Sequence, residues 1–160
     1  MRVRDVMSRP IISCNLQTNL AEASALMWDH NCGVLPIVND NGKLSGVITD
    51  RDICIALGTR NKRASELTVS DVSSGPASSC GLDDDVTAAL QIMSQARIRR
   101  LPVVDRAGIP QGILSLNDLV LWAQHSDGAK RHGLSYEDVV NTLVRICQRR
   151  RARSRAAVAA

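Results

Sequence analysis

Apolar residues in the first third of the chain keep two different periods. Leu20, Ala23, Leu26 and Met27 recur at helical spacing, and Asn19 followed three residues later by Glu22 has the form of a capping box, so a helix is predicted that ends near Asn31 to Gly33. Val34 to Val38 is short, apolar and β-rich. The Asn39-Asp40-Asn41-Gly42 turn then leads into Leu44 to Thr49, which predicts a hairpin. Gly58 to Ser70 is polar and reads as a connection. The pattern then returns: Asp85 as cap, Val86, Ala89, Leu90, Ile92 and Met93 on one helix face, Val103-Val104 as strand, Asp105 to Gly108 as turn, Gly112 to Ser115 as strand. After Trp122 it stops. Ser126-Asp127-Gly128 and His132-Gly133 break structure, and Ser135 with Asp138 caps a further helix, expected from about Tyr136 to Arg149 with Val139, Val140, Leu143, Ile146 and Cys147 as one apolar stripe. Arg150 to Ala160 has no apolar periodicity and is expected to be disordered.

The return is literal. Leu35-Pro36-Ile37-Val38-Asn39 becomes Leu101-Pro102-Val103-Val104-Asp105, and Asp5-Val6, Pro10, Ser13-Cys14, Leu16, Ala23 and Met27 meet Asp71-Val72, Pro76, Ser79-Cys80, Leu82, Ala89 and Met93 at the same offset, without a gap. Two copies of one supersecondary unit pack together to bury the face neither buries alone. The expected organisation is a first repeat over 1–60, a linker over 61–70, a second repeat over 71–124, a helical extension over 125–150 and a basic tail over 151–160.

Composition sharpens this picture in three places. With no Phe, one Tyr and two Trp, the core is built from aliphatic residues and Met, and a stacking surface for single-stranded nucleic acid is hard to assemble. The net charge of +4 comes from the end of the chain, where Arg145, Arg149, Arg150, Arg151, Arg153 and Arg155 cluster; the repeats are close to neutral. Cys14, Cys32, Cys54, Cys80 and Cys147 are odd in number, with no C-x-x-C pair and no His at zinc-finger spacing, so they read as reduced, mostly buried thiols, a redox or metal-binding pair being the alternative. The polar start and the lack of a long apolar run predict a soluble cytoplasmic protein with no membrane span.

The sharpest chemical feature is a strand running into a helix through Gly46-Val47-Ile48-Thr49-Asp50-Arg51-Asp52, matched by Gly112-Ile113-Leu114-Ser115-Leu116-Asn117-Asp118. Glycine admits a ligand or a neighbouring backbone. Thr49 or Ser115 places a hydroxyl where free N–H groups and the helix dipole favour a phosphate, and Asp52 or Asp118, one turn later, suits the vicinal hydroxyls of a ribose. The same spacing also describes a plain capping box. His30, His125 and His132 have no partner at triad or metal spacing, so neither a catalytic nor a metal site is expected.

With the doubled Leu-Pro-(Ile/Val)-Val, the turn, and Gly-x-x-(Thr/Ser)-x-x-Asp in one order at one offset, residues 1–123 resemble a tandem cystathionine-β-synthase (CBS) domain pair, or Bateman module, of the small stand-alone bacterial type. The resemblance implies an α/β (α+β) fold of two β-α-β-β-α repeats in a pseudo-twofold pair, with two clefts for adenosine-containing ligands. It carries phosphate and ribose contacts to Thr49 and Asp52 in one cleft and to Ser115 and Asp118 in the other, and adenine contacts to Ile12, Ser13 and Cys14 and to Ser78, Ser79 and Cys80. Arg99-Arg100, where the first copy has Gly33-Val34, implies added phosphate affinity, the alternative being a solvated rim in which Arg97, Arg99 and Arg100 pair with Asp83, Asp84 and Asp85. Arg51 adds one charge to the other cleft. The second copy departs from the first at Ser73-Ser74, at Ala77-Ser78 and at Leu116 in place of Asp50, which makes its adenine wall more polar.

The function expected is therefore a non-catalytic regulatory module. AMP, ADP, ATP or S-adenosylmethionine enters one or both clefts as a regulatory ligand, with no obligatory cofactor, and a homodimer passes the change to a protein target. The competing reading gives the arginine tail to RNA, DNA or another anionic partner, with the repeats as a scaffold. A third makes the clefts empty and the four motif residues mere caps.

Overall fold

The computed structural model describes residues 1–124 and 134–148. Each repeat builds a three-stranded sheet. In the first, β1 (Cys14–Asn15) lies parallel to β2 (Val34–Val38), which pairs antiparallel with β3 (Leu44–Thr49); in the second, β4 (Cys80–Gly81), β5 (Arg100–Val104) and β6 (Pro110–Ser115) do the same. The registers match residue for residue: Leu35 faces Ile48 as Leu101 faces Leu114, and each hairpin shifts register at the same place, after Ile37 and after Val103. Pro36 sits in a middle strand, yet β1 reaches only Ile37 and Val38, so no strand stands opposite the missing N–H.

Helix α1 (Leu20–Asp29) precedes the first hairpin and α2 (Asp50–Arg60) follows it; α4 (Val86–Ala96) and α5 (Leu116–Gln124) are their counterparts, with the short α3 (Val69–Val72) between the repeats. Asn19 Oδ1 accepts from the Glu22 N–H at 2.9 Å and Asp85 caps α4, as the spacing predicts. Two aliphatic cores result. Leu20, Ala23, Met27, Leu35, Ile37, Ile48 and Ile53 form one; Leu90, Met93, Leu101, Val103, Leu114 and Leu119 form the other.

The segment in front of each repeat packs on the other repeat. Val3 is fully buried in the second core, its N–H donating to the Asp84 carbonyl at 3.0 Å, and Ser8 exchanges two backbone hydrogen bonds with Ile113 at 2.9 and 3.2 Å. Reciprocally, Leu67 and Val69 lie in the first core, where the Leu67 carbonyl accepts from Leu20 N–H at 2.9 Å and Val69 N–H donates to Thr18 at 2.8 Å. The stretch expected to be a polar connection thus contributes buried side chains. Leu67 and Val69, two residues apart, point inward, with Ala64 packed beside them, while Thr68 and Asp71 cap α3 outside.

Helix α6 (Tyr136–Cys147) ends two residues before the expected Arg149 and lies against α4 and α5. The expected single stripe divides: Val139 enters the second core, as does Leu134 ahead of the helix, Ile146 packs beside it, and Val140, Leu143 and Cys147, like Val144, are exposed. Thr142, not an apolar residue, completes the inner face at i, i+3, i+7; it is buried, with its hydroxyl donating to the Asp138 carbonyl at 2.8 Å. Among the described residues no helix is long and apolar enough to cross a membrane. The tail assigned to 151–160 lies outside the described residues.

Candidate functional site

Both motif glycines are buried because the backbone of the segment in front of the other repeat crosses them. A Cβ on Gly112 would stand 2.8 Å from the Ser8 carbonyl oxygen and from Met7 Sδ; one on Gly46 would stand 3.0 Å from the Gly75 carbonyl oxygen. Of the two occupants glycine admits, the structure shows backbone. Downstream, both copies close a capping box. Asp52 Oδ2 accepts from Thr49 N–H (3.0 Å) and Oγ1 (2.6 Å), and Asp118 Oδ2 accepts from Ser115 N–H (2.8 Å) and Oγ (2.6 Å). Each box consumes one carboxylate oxygen and leaves the other facing out of the helix. Asp118 Oδ1 accepts from Ser8 Oγ at 2.9 Å, whereas Asp52 Oδ1 has no partner among the described residues.

A cavity of about 400 Å³ opens over the second motif. Ile11 and Ile12, from the stretch before α1, and Val34 supply apolar walls; Ile113, Ser115 and Asp118 come from the opposite repeat, and Arg9 and Arg100 bring positive charge. Strand pairing explains the assembly: Arg100 sits directly across from Ser115 in the β5–β6 hairpin, so a guanidinium and a hydroxyl leave one sheet on the same side. At the start of α5, Leu116 N–H donates to the Arg99 carbonyl at 3.0 Å and Asp118 N–H to Ser115 Oγ at 3.2 Å, and the positive end of the helix dipole lies beside them. One end of the cleft can hold a planar apolar group, the middle a diol, and the Ser115 end an anion.

The structure therefore brings Ile12, Arg100, Ser115 and Asp118 together. The other residues singled out from sequence lie elsewhere. Ser13 and Ser78 are exposed and Ser79 is half-buried; Arg51 and Arg99 are exposed, the Arg99 carbonyl accepting from Leu116 N–H at 3.0 Å. Cys14 and Cys80 are core residues, where burial pushes their thiols up to about 11 and about 12, so both are neutral packing groups at pH 7. The expectation of mostly buried cysteines is corrected: Cys32 is half-buried, and Cys54 and Cys147 are exposed, all five being free thiols. The aspartates proposed as an ionic rim are engaged otherwise: Asp83 pairs with Arg2 and Arg4, Asp84 accepts from Gly81 N–H at 2.7 Å, and Asp85 caps α4. Arg145 is exposed on α6, while Arg149, Arg150, Arg151, Arg153 and Arg155, like His125 and His132, lie outside the described residues.

Several lining residues escape sequence reasoning, notably Ser8, His30, Asn31 and Ile113. Ser8 belongs to the segment that changes repeats, which a strict repeat alignment assigns to the wrong half. Its signal was Gly112, whose bareness requires a visitor. A second cavity of about 680 Å³, between α1 and α2, shares Asn31, Cys32, Gly33 and Arg100 with the first and is walled by Met27, Trp28, Ile53 and Leu57. Among the described residues no group of three or more His, Cys, Asp or Glu is placed to hold a metal ion.

Comparison with known proteins gives one consistent result. The chain is 33% identical over 139 residues to the CBS domain-containing protein YhcV of Bacillus subtilis, covering 86% of this chain and 97% of that one. The CBS domain pair of protein MJ0100, solved with 5′-methylthioadenosine and S-adenosyl-L-methionine, superimposes with a TM-score of 0.71 at 29% identity, over 78% of this chain and 97% of that one. CBSX2 in complex with AMP, a protein of Arabidopsis thaliana, gives 0.67 at 25% identity, over 79% and 98%. The CBS domain profile matches residues 3–59 and again 69–125, and the chain is a member of the CBS domain family, carrying two CBS domains in tandem.

Proposed function

We propose that the protein is a non-catalytic regulatory module that binds an adenosyl ligand in the cleft over Ser115 and Asp118. The observation that carries this reading is the convergence, in one cavity, of apolar walls from the first repeat (Ile11, Ile12, Val34) with a hydroxyl, a carboxylate and a guanidinium from the second (Ser115, Asp118, Arg100). The purine lies between the isoleucines and Val34. The free face of the Asp118 carboxylate takes the ribose diol, and Ser115 Oγ, the positive end of the α5 dipole and Arg100 take a 5′-phosphate. Adenosyl ligands in the solved relatives support the ligand class.

Thr49 and Asp52, with Ser78 and Ser79 of the more polar wall and Arg51 and Arg99 at the rim, form the second and weaker site. AMP, ADP, ATP and S-adenosylmethionine are the candidates. Because the walls of each cleft come from different repeats, a ligand with unequal affinity for two inter-repeat angles shifts their populations, and a protein target reads the angle. Two chains pair in the cytoplasm through the uncovered helix face of the first repeat.

Thermal unfolding with each of the four ligands tests the proposal. A ligand at 100 times its dissociation constant raises stability by about 2.7 kcal/mol, and Asp118→Ala removes the larger part of the shift. An unmoved midpoint for all four at millimolar concentration would exclude the assignment.

A further inference from the structure

The segment that crosses from the front of the first repeat delivers more than packing. Ser8 is held to Ile113 by two backbone hydrogen bonds, 2.9 and 3.2 Å, and the missing side chain of Gly112 allows that approach. From this fixed position the Ser8 hydroxyl donates to Asp118 Oδ1 at 2.9 Å, and Ser8 itself lines the cleft. Asp118 Oδ2 is already fixed by Ser115. Both oxygens are thus held before any ligand arrives, and the carboxylate plane cannot rotate about its last torsion without breaking a hydrogen bond. Each carboxylate oxygen accepts more than one donor, so the lone pairs that face the cleft stay available.

The other motif lacks this support. Among the described residues Asp52 is held at one oxygen only, by Thr49, and Ser74, the residue at the position equivalent to Ser8, makes no hydrogen bond to it. Nor does the Ser73–Gly75 stretch form a backbone bridge to β3 of the kind Ser8 makes with Ile113.

We infer that Ser8 is a positioning residue for ligand recognition: it orients the Asp118 carboxylate for a ribose diol and ties occupation of that cleft to docking of the 1–8 segment on the second repeat. The inference rests on the adenosyl reading of the cleft. A pre-set acceptor loses no torsional freedom on binding, and a charge-assisted hydrogen bond is the stronger kind, so the advantage falls on ligands that use the diol.

The test is calorimetric titration of AMP and of 2′-deoxy-AMP into the Asp52→Ala protein, where the Asp118 cleft alone reports, with Ser8→Ala, Ser8→Thr and Asp118→Ala added in turn. Ser8→Ala is expected to weaken AMP binding about 10-fold, the size of one hydrogen bond to a charged group, and 2′-deoxy-AMP binding by less than about 3-fold. Ser8→Thr keeps the hydroxyl and restores AMP affinity. Hydrogen exchange in residues 1–8 slows when AMP binds, and Ser8→Ala removes that protection. Equal weakening of both nucleotides would make Ser8 a packing residue only and overturn the inference, as would unchanged AMP affinity in Ser8→Ala. If Asp118→Ala also binds AMP normally, the failure lies in the adenosyl reading of the cleft itself, and this inference falls with it.

Discussion

The two repeats share a sheet and differ in what covers it. β2–β3 and β5–β6 agree down to the residue at which register shifts, yet the helix face of the second repeat lies under α6 while, among the described residues, that of the first has no such cover. Equivalent residues show the effect: Leu119 is fully buried in one core with Leu134 and Val139, whereas its counterpart Ile53, buried at 5% exposure in the first core, also borders a cavity of about 680 Å³. On the sheet edge the contrast runs the same way, with Ser8 bridged to Ile113 and no bridge from the Ser73–Gly75 stretch. The duplicated apolar pattern specifies the frame twice; unduplicated residues make one half sealed and the other accessible.

The largest test of that difference is a pair of truncations. Leu119→Ala leaves a void closed on all sides and is expected to cost about 4 kcal/mol, near the upper end for buried leucine, whereas Ile53→Ala opens onto space that solvent already reaches and is expected to cost about 2 kcal/mol. Equal losses in urea unfolding would mean that the first repeat is sealed in solution too. A second pair acts at the crossings. Gly112→Ala drives a methyl to 2.8 Å from the backbone oxygen of Ser8, which two hydrogen bonds hold in place; Gly46→Ala meets the Gly75 carbonyl at 3.0 Å, on a stretch with no backbone bridge to β3. Overpacking of this kind costs about 1–3 kcal/mol, with Gly112→Ala at the top of that range and Gly46→Ala at the bottom. The reverse order would place the tighter crossing in the first repeat.

Much of this was legible from pattern because the informative features are local. Caps at Asn19, Asp85 and Ser135, the hairpins around Gly42 and Gly108, and the aliphatic cores follow from spacing within a dozen residues. The exchange of Met1–Ser8 and Leu67–Val72 between repeats did not follow, since an apolar pair such as Leu67 and Val69 says that it is buried but not in which half. The candidate site suffered from the same blindness. Thr49, Asp52, Ser115 and Asp118 were visible as motifs, yet pairing Ile11 and Ile12 with Ser115 rather than Thr49 is a property of the assembly. Cys14 and Cys80 read as pocket or core with equal ease from sequence, and only their burial separates the two.

The smallest expected effect on folding is also the one that decides what the open face is for. Trp28 stands on α1 with 86% of its surface exposed, at the position where the second repeat has Ser94, and Ile55 on α2 is 51% exposed. An indole with so few neighbours contributes little to a single chain, so Trp28→Ser should change unfolding free energy by no more than about 0.5 kcal/mol. A side chain of that size is, however, the kind that dominates an interface once a partner covers it. Sedimentation velocity over a range of concentrations separates the two roles. If chains pair through this face, the wild type shows a concentration-dependent dimer and Trp28→Ser a weaker one with the same monomer stability; if both sediment identically at every concentration, the face stays open to solvent and the proposed pairing is lost. The second repeat supplies the control: Val139→Ala thins the contact of α6 with the second core without touching Trp28, so it lowers stability while leaving the dimer's concentration dependence where it was.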